Sequence, residues 1–150
     1  MRRPLRRAHE IRSGEVYRDE MVRVTAFAVR HGAMPAFGYR FEARDKVIAI
    51  SGDTTYSEAL IAAAKGCDIL IHEVYSEKGL ARRTTDWRRY HAAYHTSGPD
   101  VGRVAARVRP RKLVLYHALP MGESPEEVVS EVRRNFAGEV IYGGDLDVVR

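Results

Sequence analysis

Three short apolar runs, each closed by a residue able to do chemistry, constrain this chain more than anything else in it. Lys46-Val47-Ile48-Ala49-Ile50 ends at Ser51-Gly52-Asp53-Thr54-Thr55, Ile69-Leu70-Ile71 ends at His72-Glu73, and Lys112-Leu113-Val114-Leu115-Tyr116 ends at His117. β-Branched runs of this length between polar flanks read as buried strands. A Gly-Asp pair is where such a strand breaks into a loop. In layered α/β sheets, ligands gather beyond the carboxyl ends of the strands. The chain therefore offers a carboxylate, an imidazole–carboxylate pair and a second imidazole to what reads as one rim.

The segments between these runs supply the crossovers. Ser57 to Gly66 reads as a compact helix, with Ser57 capping its free N–H groups and Gly66 closing it. A strand, a helix and a second strand over Cys67 to Ile71 make a βαβ unit, the mark of a layered α/β protein. Ser97-Gly98-Pro99-Asp100 opens a helix to about Val108, with Val101, Val104, Ala105 and Val108 on one face, and Pro110 ends it. Ser124-Pro125-Glu126-Glu127 is a capped helix start, and that helix is expected to run to Phe136. Upstream, Met21 to Arg30 and Phe37 to Glu42 read as strands, with a turn at Ala33-Met34-Pro35 and a hairpin at Arg44-Asp45. Ser76 to Tyr94 is polar, basic and aromatic, and is expected as a mobile flap or a short helix. Val140 to Tyr142 and Leu146 to Val149 are expected as the last strands. Residues 1–20 are expected as an N-terminal arm and residues 21–150 as the folded unit.

At 150 residues the chain is long enough for one domain with its own core, and its 45% apolar content is ordinary for a globular protein. No apolar run approaches the roughly 20 residues of a membrane-spanning helix. The basic start lacks the apolar stretch of a secretory signal. The single Cys67 cannot form an internal disulfide, which fits a reducing, cytoplasmic setting. The net charge of +5 permits a polyanionic partner. Arg2 to Arg7, Arg82-Arg83 with Arg88-Arg89, and Arg103 to Lys112 are the candidate phosphate-facing clusters, against the simpler reading of a solvated arginine-rich surface.

Asp53 and His117 are the leading metal-ligand candidates, a carboxylate and an imidazole suited to zinc or another divalent ion. Taken singly, each has a plainer explanation, a turn or cap for the aspartate and a structural role for the histidine. His95, before Thr96-Ser97, is placed to donate a proton, since imidazole titrates near neutral pH. His72-Glu73 is placed to orient it. His31, between a strand and a turn, is a candidate for supporting or substrate contact, with His72 and Thr96. No ligand role is assigned to His9 or His91.

These residues carry a resemblance. Ile50-Ser51-Gly52-Asp53-Thr54, Asp68-Ile69-Leu70-Ile71-His72-Glu73, Tyr94-His95-Thr96-Ser97 and Leu113-Val114-Leu115-Tyr116-His117, in that order, resemble the C-terminal half of metallo-β-lactamase-fold hydrolases, the ribonuclease Z-like branch in particular. Val22 to Glu42, with His31-Gly32 and Gly38-Tyr39-Arg40, resembles the segment before the Gly-Asp motif there. The resemblance implies half of an αββα sandwich, a mixed sheet with helices on one face. It implies that Asp53 bridges two zinc ions, that His117 binds one of them, and that His95, supported by Glu73, donates a proton during hydrolysis of a phosphodiester. RNA or another phosphodiester would be the substrate.

The chain departs from that pattern at one point. The family's main metal-binding signature, His-x-His-x-Asp-His, is absent, and no two of the six histidines are separated by a single residue. Asp53 and His117 alone are two ligands where a catalytic zinc takes three and a water. The expectation is a hydrolase half that lacks the segment holding most of the metal, inactive by itself, with apolar sheet surface left open. Its completing partner would be a missing N-terminal half; a second copy in a homo-oligomer would duplicate Asp53 and His117 but would not create the absent motif. The other reading is a non-catalytic α/β module that binds a partner or nucleic acid through its arginines.

Overall fold

Twelve elements follow one another in a computed structural model that describes residues 8–149. They are β1 (Gly14–Arg18), β2 (Val22–His31), β3 (Met34–Ala43), β4 (Val47–Ile50), α1 (Glu58–Ala64), β5 (Ile69–Tyr75), α2 (Glu77–Ala81), α3 (Thr85–Tyr94), α4 (Gly98–Val108), β6 (Lys112–Leu119), α5 (Pro125–Arg133) and β7 (Glu139–Tyr142). The strands form one seven-stranded sheet in sequence order. β1 to β4 pair antiparallel, and β4 to β7 pair parallel. Parallel neighbours need crossovers, and right-handed crossovers stepping in one direction place α1, α4 and α5 on the same face. The expected mixed sheet with one-sided helices is the result. The basic run Arg2 to Arg7, and the beginning of the expected arm, lie outside the described residues; its later part supplies edge strand β1.

The core lies between sheet and helices. Ala49, Leu70, Leu113 and Leu115 from the parallel strands meet Leu60, Ile61 and Ala64 of α1, Val101, Val104 and Val108 of α4, and Val128 and Val132 of α5. The opposite sheet face is apolar as well. The register aligns Tyr39, Ile50, Ile71, Val114 and Ile141 in one row across five strands. Ile48, Ile50, Ile71 and Ile141 are half-buried there, and Val114 is buried.

Four details differ from the sequence reading. The turn between β2 and β3 is Gly32-Ala33, while Met34 and Pro35 already pair with His31 and Arg30; Gly32 takes the left-handed φ of 56° that the tight turn requires. Ser76 to Tyr94 is neither flap nor single helix but α2 and α3, whose N-termini are capped by Ser76 and Thr84. α5 stops at Arg133, short of Phe136. Leu146 to Val149 forms no strand: Leu146 is 99% exposed at a φ of 68°, and Asp147 instead closes a local turn onto Gly144. With no sheet partner on that side, apolar character alone does not make a strand.

Candidate functional site

The loop after β4 is shaped by Gly52. Its φ is 62°, and a Cβ there would lie 2.4 Å from the Phe37 carbonyl oxygen. The chain therefore doubles back against β3 and lifts Asp53 over the sheet edge. The backbone N–H of Ser51 still donates to Ile71 O at 2.9 Å, and that of Thr55 to Arg30 O at 2.8 Å, so both flanks of Asp53 are tied down.

β6 delivers His117 by a different device. Glu73 pairs with Tyr116 and Val74 with Ala118, so His117 is the extra residue of a β-bulge, at a φ of 41°. Bulges re-aim side chains, and this one brings His117 Nε2 to 3.2 Å from Asp53 Oδ2. Both side chains are part-exposed, at 41% and 32%.

β5 runs on through His72 and Glu73, and strand alternation separates them. His72 joins Leu70 and Val74 on the helix-covered face. It is fully buried, with Nδ1 2.6 Å from Glu73 O and Nε2 without a partner among the described residues. Burial pushes its pKa down to about 4, so the ring is neutral at pH 7. Glu73 points to the other face, toward the site. Its Oε1 accepts from Thr96 N at 2.8 Å and Thr54 N at 3.3 Å, binding the Asp53 loop to the segment after α3. Its Oε2 stands 3.4 Å from His95 Nδ1. That separation is long for a hydrogen bond, and neither atom has another partner among the described residues. Burial raises the Glu73 carboxyl, with His95 acting against it. Glu73 in turn holds His95 protonated above the ordinary imidazole range, opposed by burial.

His95 sits at the C-terminal cap of α3, its N–H donating to His91 O at 2.8 Å. Thr96 continues the link, donating from Oγ1 to Thr54 O at 2.5 Å. Ser97 then caps α4. His31 arrives from the end of β2. Its ring meets His95 at 5.4 Å and Tyr94 edge-on at 5.0 Å between centroids, while the Gly32 N–H donates to Ala93 O at 3.1 Å. One ligand atom each from His31, Asp53 and His95 lies within 4.8 Å of the others.

Asp53, His95, His117 and Glu73 are thus brought together as the sequence suggested, and Thr96 braces them. His72 is not among them. His31 is closer to the centre than its sequence context indicated. Tyr116 was not singled out, yet it lies near enough to Asp53 for the carboxylate to help burial raise its phenol pKa; its only sequence signal is its place beside His117. A groove of about 910 Å³ between α1 and α4 is lined by residues such as Glu58, Lys65 and Arg107 that are remote from this cluster. The Arg103 to Lys112 candidates are largely paired: Arg103 with Asp100, Arg107 with Glu58, Arg111 with Asp68 and Lys112 with Glu139.

Comparison with known proteins gives a consistent picture. Residues 1–118 match the family described as the beta-lactamase superfamily domain. Ribonuclease Z from Bacillus velezensis is 27% identical over 171 residues, covering 79% of this chain and 53% of that protein. The chain thus spans about half of that relative's length. Among solved structures, the metallo-beta-lactamase fold protein YhfI from Bacillus subtilis superposes with a TM-score of 0.66 at 21% identity, over 80% of this chain and 46% of that one. The short form of human tRNase Z gives 0.65 at 22% identity, over 91% and 44%.

Proposed function

We propose, on the premise that the chain belongs to the beta-lactamase superfamily, that it supplies a metal-dependent phosphodiesterase centre of the ribonuclease Z type. The observation that carries the proposal is the cluster of His31, Asp53 and His95 donor atoms within 4.8 Å of one another, with His117 Nε2 3.2 Å from Asp53 Oδ2 and Glu73 behind His95, beyond the ends of the parallel strands. Imidazole nitrogens with one carboxylate are a donor set suited to zinc; His31 and His95 each bring a nitrogen within 4.8 Å of an Asp53 oxygen, and His117 Nε2 lies 3.2 Å from Asp53 Oδ2. Asp53, His117 and His31 are the residues that would hold it. When bound, the ion supplies Lewis-acid stabilisation of the charge that develops on the phosphoryl oxygens.

His95 is assigned the proton. Its Nδ1 is turned to Glu73, which leaves Nε2 to deliver a proton to the departing alkoxide oxygen as the phosphorus–oxygen bond breaks. Water supplies the attacking oxygen, and the products are a phosphate monoester and an alcohol. Glu73 orients the ring and favours its protonated form. Thr96 keeps the Glu73 carboxylate and the Asp53 loop in register. His72 takes no part in the reaction and supports the Glu73 backbone.

The ribonuclease Z relative and the positive charge together favour RNA as substrate, in a cytoplasmic setting. Residues 21–150 then make the C-terminal half of the hydrolase domain and 1–20 an N-terminal arm. The second ion of a two-zinc centre would take its ligands from a further polypeptide, an N-terminal half laid against the sheet face opposite the helices.

The test is zinc content after equilibration and dialysis, together with hydrolysis of bis-para-nitrophenyl phosphate by the 150-residue chain and by that chain assembled with its completing partner. Tightly held metal, lost in Asp53→Ala and His117→Ala but kept in a catalytically dead His95→Ala, supports the assignment. Loss of metal in His95→Ala would make His95 a ligand and refute its role as proton donor. No metal in any form would refute the catalytic reading and favour a non-catalytic binding module.

A further inference from the structure

Helix α3 is built unlike the rest of the molecule. Every residue from Thr85 to Tyr90 is exposed, and the helix is held down mainly by buried His91 and half-buried Tyr94. On the exposed part stand Trp87, 56% accessible, and Tyr90, 50% accessible. The two rings meet edge-on, 6.4 Å apart. Between Leu80 and His95 there are four arginines and one acid, Asp86. Among the described residues, the guanidinium of Arg88 donates only to Thr85 Oγ1, at 3.3 Å, and Arg89 reaches Asp86 only at 4.0 Å in full solvent. Ion pairs this exposed are weak, so both charges are open to a ligand. Beside Trp87, a groove of about 510 Å³ is lined by Arg82, Arg83, Thr84 and Met121. That volume lies within the range of small-ligand sites.

The aromatic face also leads somewhere. Trp87 stacks on His91 at 4.9 Å and 16° between planes, His91 lies tilted against His95 at 5.6 Å, and His95 meets His117 edge-on at 5.6 Å. A line of rings therefore runs from the surface to the centre described above. Trp87, His91 and His95 are four residues apart, which sets them on one side of the helix. Each exposed ring has one face packed within the helix, Trp87 on His91 and Tyr90 on Tyr94 at 4.6 Å, and about half of its surface left to solvent.

We infer that α3 is a stacking platform for single-stranded nucleic acid, with unpaired bases resting on Trp87 and Tyr90 and the backbone phosphates held by Arg88 and Arg89. Exposed aromatic faces next to open guanidinium groups are the chemistry of single-strand binding. Every base has a π-face, and each phosphate carries charge that arginine neutralises. A duplex hides its base faces and cannot use Trp87. The inference rests on the phosphodiesterase reading, to which it adds the substrate class: a single strand, or an unpaired end, whose neighbouring phosphodiester reaches His95.

Trp87 is the sole tryptophan, so its fluorescence reports the platform directly. The experiment titrates the full chain with a short single-stranded oligoribonucleotide and with a blunt duplex of the same length. A chelator is present, so that binding is read apart from any turnover. The expected result is saturable quenching by the single strand, little by the duplex, and weakening with added salt. A labelled single strand followed by anisotropy should lose roughly 5- to 150-fold in affinity in Trp87→Ala or Tyr90→Ala, from the stacking contribution of one base. Arg111→Ala, an equally exposed cation elsewhere, should bind as the parent does. Equal quenching by duplex and single strand, or Trp87→Ala binding with parent affinity, overturns the inference. So does a change of oligomeric state in Trp87→Ala without any nucleic-acid affinity in the parent, which would make the face a protein contact. Strand binding with no hydrolysis in any assembly would leave the platform standing and refute the catalytic reading alone.

Discussion

Replacing Glu73 by Ala and by Gln separates the two jobs of this buried carboxylate. Its Oε1 is the acceptor for the N–H groups of Thr54 and Thr96, residues that are 0% and 1% exposed. In Glu73→Ala both donors lose their partner where water does not reach. Each stranded donor costs about 1–3 kcal/mol, and the emptied volume adds to it. A loss of about 3–5 kcal/mol follows, a large fraction of the 5–15 kcal/mol that holds a typical domain together. For a chain of this size the melting temperature should fall by roughly 6–20 °C. In Glu73→Gln the amide oxygen keeps both N–H groups and the amide NH₂ turns to His95 Nδ1, so stability should drop by only about 1 kcal/mol or less. What Gln removes is the charge, the main reason His95 stays protonated above the ordinary imidazole range. The alkaline limb of the pH–rate profile, measured in the active assembly, should move to lower pH. Urea denaturation followed by circular dichroism reads the stability difference as a fall in midpoint at constant slope. Equal destabilisation by Gln and Ala would refute the argument, because it would mean that charge, not the two backbone hydrogen bonds, holds the site loops.

Further outcomes follow from the same geometry. His72 is held at a pKa of about 4 against roughly 6.5 when unfolded, so the unfolded chain binds more protons between those values; its stabilising share is complete above pH 6.5 and lost as pH falls toward 4, about 3 kcal/mol in all, and a His72→Leu variant should lack that part of the acid loss in urea titrations run from pH 7 to 4. Gly52→Ala places a Cβ 2.4 Å from Phe37 O at a φ of 62°; it should cost about 1–3 kcal/mol in thermal denaturation and displace Asp53, weakening metal retention. Buried Glu131 accepts from Ser76 Oγ, Glu77 N and Lys78 N at 2.8–3.0 Å, capping α2 from α5; Glu131→Ala should cost about 3–5 kcal/mol, seen as a lowered urea midpoint.

Much of this molecule was legible from residue order because its signals are local. The β4–α1–β5 unit follows from an apolar run, a Gly-Asp break and a Ser57-capped helix, and the α4 and α5 starts from Ser97 and Ser124. Asp53, Glu73, His95 and His117 were found because strand and helix ends are written in local polarity and turn chemistry. Tertiary structure decided the rest. Whether His72 or Glu73 faces the site depends on register and on which sheet face the helices cover, and a shift of one residue reverses it. The bulge at His117 exists only in the pairing with β5. His31 reaches the centre because the β2–β3 hairpin packs beside α3 through the Gly32 N–H to Ala93 O bond, a contact between segments about 60 residues apart. Leu146 to Val149 carries strand-like residues but has no neighbour to pair with, and a strand is a property of pairs.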